Sequence, residues 1–183
     1  GYEVHAVTYR KTKEKLQGAQ LHRSNLLNPQ ETYNLVDEIR PTHLLQFAWY
    51  TEPRIYWCSP KNFQWMESSI ELMRYFYEFG GKRIVMAGTC AEYDWDYGYC
   101  SEIVTPCRPK TPYGICKNAL QETFKAFCEE EGLSGAWGRI FYLYGPGENP
   151  KRLVASVINA LLKGEKAHCT HGKQIRDFLH VYD

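Results

Sequence analysis

The feature of this sequence that most constrains its fold is the alternation of short apolar segments with longer amphipathic ones. Three segments have helical spacing of apolar residues: ETYNLVDEI, PKNFQWMESSIELMRYFYEFGG and YGICKNALQETFKAFCEEEG. Before, between and after them lie segments rich in strand-forming residues: YEVHAVTY, THLLQFAW, KRIVMAG and SGAWGRIFYLYG. This order predicts right-handed crossovers and an α/β fold, in which helices cover both faces of a parallel sheet.

Composition excludes several classes of protein. The formal net charge of +1 over 183 residues argues against non-specific binding of nucleic acid. The sequence contains no apolar run of the roughly 18 residues that a membrane span needs. The seven cysteines form no C-x-x-C pair and no metal-finger spacing with the histidines, so we expect no metal site and reduced thiols. Together these features predict a soluble, cytoplasmic protein.

One short motif, TPYGICK, places Tyr113 four residues before Lys117, which puts both side chains on one face of a helix. Such a pair is commonly a half-buried ring beside a solvated charge. Here, however, Thr89 follows the strand KRIVMAG directly, and ligands of parallel sheets bind beyond the carboxyl ends of the strands. A hydroxyl, a phenol and an ammonium group can therefore converge there. The lysine would lower the tyrosine pKa from about 10 and favour proton transfer.

Four motifs in order, GTCAEY, PKTPYGICK, GRIFYLYGPGE and GKQIRDFLHVYD, resemble the extended short-chain dehydrogenase/reductase family of nucleotide-sugar epimerases, dehydratases and reductases. The resemblance covers essentially the whole chain and implies a Rossmann-type fold. Residues 1–145 would form the dinucleotide-binding domain, and residues 146–183 would begin the substrate-binding part. By this resemblance Thr89 takes the family's Ser/Thr position, Tyr113 is the acid/base, and Lys117 also contacts the nicotinamide ribose.

The residues after Thr89 depart from the dehydratases of this family. Those enzymes carry Asp and Glu there, whereas this chain has Cys90 and Ala91. Glu92 comes one residue later and would face the other way if the backbone stays extended. Elimination of water is therefore disfavoured, which leaves 4-keto reduction or 4-epimerisation of a nucleotide-linked sugar. Two alternatives remain: a dehydratase, and a non-catalytic module that senses NADP(H).

The segment VTYRK indicates which cofactor is used. Thr8 stands where an acidic residue usually binds the adenosine ribose, and Arg10 and Lys11 follow it. A hydroxyl and an arginine suit a 2′-phosphate, so we expect NADP, with NAD as the alternative. The full set of cofactor-binding residues implied by the resemblance is Thr8, Arg10, Asn25, Leu26, Ala48, Tyr113, Lys117 and Phe141.

The substrate diphosphate needs local cations. Arg176 in QIRDF matches a family arginine that contacts the phosphates, and Arg152 is a second candidate. Tyr142 stands where the family motif R-x-F-N has a substrate-contacting asparagine. The resemblance also implies that the full-length protein is a homodimer.

No glycine-rich turn of the G-x-x-G-x-x-G type follows any predicted strand. Such a turn holds the cofactor pyrophosphate in dinucleotide folds. We therefore expect a strand, a glycine-rich turn and a helix before Gly1 and further sequence after Asp183, so that the fold is truncated at both ends. For the same reason, we expect the 183-residue chain to bind NADP(H) poorly by itself.

Overall fold

The computed structural model describes residues 1–10 and 17–183, in which the predicted strands and helices occur in the predicted order, together with further elements. Lys11, which follows the predicted phosphate-binding Arg10, lies outside the described residues. The strands are β1 His5–Thr8, β2 Gln20–Arg23, β3 His43–Gln46, β4 Arg83–Thr89, β5 Ser134–Ile140, β6 Tyr142–Tyr144 and β7 Phe178–His180. The α-helices are α1 Pro29–Ile39, α2 Lys61–Glu78, α3 Pro112–Glu130 and α4 Leu153–Leu162.

All strand pairs within these sheets are parallel, and the predicted α/β fold is confirmed. β1 pairs with β2, β3–β4–β5 form a three-stranded sheet in that order, and β6 pairs with β7. The segment SGAWGRIFYLYG, predicted as one strand, is divided at Phe141. The division has a physical reason: β4 ends at Thr89, opposite Ile140, so the chain beyond Ile140 finds its next partner in β7.

The core lies between the central sheet and the layer of α2 and α3. Consecutive crossovers from β3 to β4 and from β4 to β5 place both helices on the same face of the sheet. Apolar side chains of both layers pack there, with Phe76, Ile84, Met86 and Leu120 fully buried. α1 contacts α2 and extends this layer. These contacts fix α3 against β4, the two elements that carry the candidate catalytic residues.

The ends of the helices follow from local sequence signals. The Thr111 side chain caps the N-terminus of α3 by accepting a hydrogen bond from the Gly114 backbone N–H at 3.2 Å, and Pro112 occupies the first helical position. α2 ends before Gly80, whose φ of +85° requires glycine. None of the helices that the structure describes is long and apolar enough to cross a membrane.

Candidate active site

Thr89 is the last residue of β4 and lies at the carboxyl edge of the central sheet, with 7% of its surface exposed. The backbone then turns into a short 3₁₀ helix, Cys90–Glu92, which Thr89 caps. Its hydroxyl accepts a hydrogen bond from the Ala91 backbone N–H at 3.2 Å. The turn therefore fixes the threonine at the edge where the sequence predicts a ligand.

α3 brings Tyr113 and Lys117 to the same edge. Lys117 is 2% exposed, and its Nζ donates a hydrogen bond to the Ala87 carbonyl of β4 at 2.8 Å. Tyr113 lies close enough to Thr89 for the threonine hydroxyl to affect its pKa. The structure thus brings together the three side chains that the sequence predicts to converge.

Burial controls the ionisation of both side chains on α3. It raises the pKa of Tyr113, and the nearby Thr89 hydroxyl opposes this rise. It lowers the pKa of Lys117 to about 8, against an opposing effect of Glu92. The lowering of the Tyr113 pKa expected from the spacing is therefore not found. Instead, Tyr113 is a neutral phenol near pH 7 and can donate a proton.

An aromatic cluster that the sequence did not predict surrounds Tyr113. The rings of Trp49, Tyr56 and Trp57 meet it edge to face, with centroids 6.4, 4.9 and 5.6 Å away. Trp49 also lies under Lys117, whose Nζ is 3.8 Å from the ring centroid. A cation over an indole face is stabilised by the ring quadrupole, so Trp49 helps to retain the buried ammonium group.

Buried hydrogen bonds hold the segment that carries these rings. The side chain of Asn62 is fully buried and accepts a hydrogen bond from Trp49 Nε1 at 2.9 Å. Its amide nitrogen donates to the carbonyls of Tyr56 and Ser59 at 2.7 and 2.9 Å. Asn62 therefore holds both ends of the segment against α2.

Glu92 does not face away from Thr89, as expected for an extended backbone, because the chain turns at Cys90–Glu92. Its carboxylate accepts a hydrogen bond from the Thr89 backbone N–H at 2.7 Å and completes a capping box. Two side chains of β5, Trp137 and Arg139, donate to the same carboxylate. A local turn was enough to overturn the prediction from strand alternation.

The side of the site predicted to hold substrate contains an arginine between aromatic rings. The guanidinium carbon of Arg176 lies 5.2 Å from the ring centroid of Trp95 and 5.4 Å from that of Tyr142. Arg176 lines two neighbouring cavities, of about 270 and 430 Å³. Tyr142 lines the smaller cavity and Phe141, predicted to bind cofactor, lines the larger one. Arg152 is exposed and lies 4.0 Å from Glu148.

The residues predicted to bind the adenosine half of the cofactor lie at or just after the ends of β1 and β2. Thr8 ends β1 opposite Arg23 of β2, so Arg10 and Asn25 follow neighbouring strand ends. The Thr8 hydroxyl donates to the Arg10 carbonyl at 3.3 Å. Asn25 Oδ1 accepts from the Leu27 N–H at 3.2 Å. These residues are present at one edge, as a nucleotide site requires.

Two of the four buried side-chain polar atoms that lack a hydrogen-bond partner among the described residues lie next to segments predicted to bind the cofactor. Among the described residues, Ser24 Oγ and Gln46 Oε1 are buried and have no hydrogen-bond partner. Ser24 precedes Asn25, and Gln46 stands two residues before Ala48, the position predicted to lie beneath the cofactor. Buried polar atoms are nearly always paired, so their positions fit a bound dinucleotide.

Comparison with known proteins shows the family of the chain. The model of the NAD dependent epimerase/dehydratase family matches residues 1–183. The chain belongs to this family. The predicted resemblance to the extended short-chain dehydrogenase/reductases is thereby confirmed, and cofactors of the NAD(P) type belong to the family.

The chain is also similar to individual family members. It is 30% identical over 129 residues to dTDP-6-deoxy-L-talose 4-dehydrogenase (NAD(+)) of Aggregatibacter actinomycetemcomitans, covering 67% of this chain and 43% of that protein. The fold matches UDP-glucose 4-epimerase of Thermotoga maritima at a TM-score of 0.83 and 22% identity, over 100% of this chain and 62% of that one. The structure of UDP-glucose 4-epimerase of Thermus thermophilus in complex with NAD matches at a TM-score of 0.80 and 24% identity, over 98% of this chain and 63% of that one.

Proposed function

We propose that this chain carries the catalytic residues of an NADP(H)-dependent oxidoreductase that acts at C4 of a nucleotide-linked sugar. The observation that supports the proposal most is the convergence of Thr89, Tyr113 and Lys117 at the edge of the sheet, in a chain of this family. NADPH, when bound, supplies the hydride for reduction of a sugar ketone.

The side chains of the chain have separate tasks in this reaction. The neutral Tyr113 donates the proton to the C4 oxygen, while the Thr89 hydroxyl hydrogen-bonds the same oxygen. Lys117 holds the nicotinamide ribose, and its charge favours the phenolate that Tyr113 becomes after donation. Tyr113 is protonated near pH 7 and can act as this donor, and we propose 4-keto reduction, with 4-epimerisation as the alternative.

A dehydratase has less support. Elimination of water needs a carboxylic acid and a carboxylate beside the sugar, and this chain has Cys90 and Ala91 at those two positions. Burial raises the pKa of Cys90 to about 11, so its thiol is neutral and a poor substitute for a carboxyl group.

The preference for NADP is part of the proposal. Its support is the pair of Thr8 and Arg10, at and just after the end of β1. An acidic side chain in the position of Thr8 would repel a 2′-phosphate, whereas a hydroxyl and a guanidinium group can bind one. The relative named above uses NAD(+), so cofactor preference needs its own measurement. We extend the proposal to a cytoplasmic homodimer that takes a nucleotide sugar as substrate, with Arg176 and Arg152 on the diphosphate and Tyr142 at the sugar.

The test is an assay of the complete natural protein with NADPH and a panel of nucleotide-linked 4-keto sugars. Consumption of NADPH with formation of a 4-hydroxy sugar supports the reductase. Interconversion of C4 epimers without net consumption of cofactor identifies an epimerase. Binding of NADPH without turnover on any member of the panel identifies the non-catalytic alternative and refutes the proposal.

A further inference from the structure

A buried ionic cluster lies beneath the Thr89 turn, and the proposed proton transfer does not use it. Its centre is Glu92, which is 0% exposed. Glu92 Oε1 accepts from the Thr89 N–H at 2.7 Å, and Oε2 accepts from Arg139 Nε at 2.6 Å. Trp137 Nε1 is 3.2 and 3.1 Å from the two oxygens. The carboxylate thus has donors from both β4 and β5.

The place of the cluster in the sheet explains what it holds. The β4–β5 ladder ends at the pair Thr89 and Ile140, so the main chain of Thr89 has no further ladder partner. Glu92 accepts the N–H of this last residue and is itself held by Trp137 and Arg139 one strand away. Motion of Thr89 relative to β5 would break these hydrogen bonds.

A buried ion pair is not in itself a large source of stability, because desolvation of both charges offsets their attraction. What such a pair supplies is a fixed geometry and a fixed charge. We propose that Glu92 is a positioning residue, which holds Thr89 through its backbone N–H and sets a negative charge beneath the Tyr113–Lys117 pair. This inference rests on the proposed function for the meaning of that pair.

Charged and titratable groups face Glu92 from three directions: Arg139 from β5, Tyr113 and Lys117 from α3, and Cys107 from the loop before α3. The negative charge of Glu92 raises the pKa of both Tyr113 and Lys117. Arg139 opposes this charge because it lies against the same carboxylate. Removal of the Glu92 charge should therefore lower the pKa of Lys117, and removal of the Arg139 charge should raise it.

The experiment uses the complete natural protein with NADP bound and lysines labelled with ¹³C at Cε. The Lys117 resonance is assigned by its absence in Lys117→Met, and its pKa is measured by NMR titration. Glu92→Gln should lower the Lys117 pKa by about half a unit or more, and Arg139→Gln should raise it. Trp137→Phe is the matched control: it removes a donor from the same carboxylate but no charge, so the Lys117 pKa should stay constant.

Activity gives a second readout. In the reductase assay, Glu92→Gln should lower kcat about tenfold with little change in KM and move the alkaline limb of the pH profile to lower pH. A merely structural role would reduce the amount of active protein without moving the limb or the Lys117 pKa.

The outcomes separate this inference from the proposed function. An unchanged Lys117 pKa in the folded Glu92→Gln variant overturns the inference, whatever the activity. If Glu92→Gln does not fold, Arg139→Gln takes its place, and an unchanged or lowered Lys117 pKa in that variant overturns the inference.

If neither single variant folds, the double variant that lacks both charges is tested. A folded double variant with reduced kcat supports a positioning role, and a folded double variant with full activity overturns it. Wild-type protein without turnover refutes the proposed function, while the NMR shifts still test Glu92.

Discussion

At the scale of single residues, the ionisation of Lys117 governs the proposed chemistry at alkaline pH. Burial lowers the pKa of Lys117 to about 8, whereas it raises that of Tyr113. Lys117 therefore loses its proton first as the pH rises. A neutral lysine no longer favours the phenolate, which makes Tyr113 a weaker proton donor.

We predict that kcat/KM for ketone reduction falls as the pH rises through about 8. The rate falls because Lys117 is protonated and favours the phenolate below this pH, whereas it is neutral above it. A pH–rate profile at saturating NADPH measures the limb. Lys125→Gln, an exposed lysine on the same helix, is the control and should leave the limb in place. A rate that stays constant to about pH 10, the ordinary tyrosine pKa, would contradict this assignment.

Arg10 carries the cofactor prediction. Arg10→Ala should weaken the binding of NADPH much more than that of NADH, because only NADPH has the 2′-phosphate that the guanidinium can bind. We expect a loss of about tenfold for NADPH, the size of a charge-assisted hydrogen bond. Titration calorimetry with both cofactors measures it, with the exposed Arg74→Ala variant as control. Equal losses for both cofactors would remove the basis for the NADP preference.

The sequence was sufficient to predict which residues meet, but not what surrounds them. Tyr113, Lys117 and Thr89 were predictable because helical spacing and strand ends are local properties. The contacts of Trp49 with Lys117 and Tyr113 join segments far apart in sequence, so no local pattern reveals them. Glu92 was misplaced because strand alternation was extended past the residue where the backbone turns.

At the scale of elements, the sequence predicts the long central helices and the strands beside them but misses several other elements. α2 and α3 lie close to the predicted segments because their apolar residues recur with a helical period, and β4 does so because it is a short continuous apolar run. β2 and β7 are short, with 4 and 3 residues, and were not predicted. α4 was also missed, although LVASVINALL is strongly apolar and its apolar residues lie mainly on one face of the helix.

The packing of β4 against β5 predicts an asymmetry between two glycines. A Cβ at Gly88 would overlap the Trp137 indole nitrogen and lie 2.7 Å from Glu92 Oε1, whereas a Cβ at Gly138 of β5 meets no atom within 4 Å. Gly88→Ala should therefore lower the free energy of unfolding by about 1–3 kcal/mol and reduce activity. Gly138→Ala should change it by less than about 0.5 kcal/mol. Urea denaturation measures both, and equal effects would show that the cluster is loosely packed.

At the scale of the whole molecule, the chain spans 43% of the Aggregatibacter dehydrogenase and 62% of the Thermotoga epimerase to which it is similar. Fold and family therefore follow from the comparisons, while activity, substrate and assembly remain proposals about the complete protein. The predicted boundary near residue 145 lies between β6 and β7, and these two strands pair with each other. β6 and β7 are far apart in the sequence, so the pattern within each segment does not predict that they pair.

The most direct test of the account is the turnover of Tyr113→Phe in the complete natural protein, with NADPH and the 4-keto nucleotide sugar that wild type reduces. The substitution removes the phenolic proton but keeps the ring that packs against Trp49, Tyr56 and Trp57. We predict that kcat falls by at least about 100-fold, the usual contribution of a general acid, while the melting temperature stays near that of wild type. A folded Tyr113→Phe variant with nearly normal kcat would contradict the central claim that Tyr113 is the proton donor.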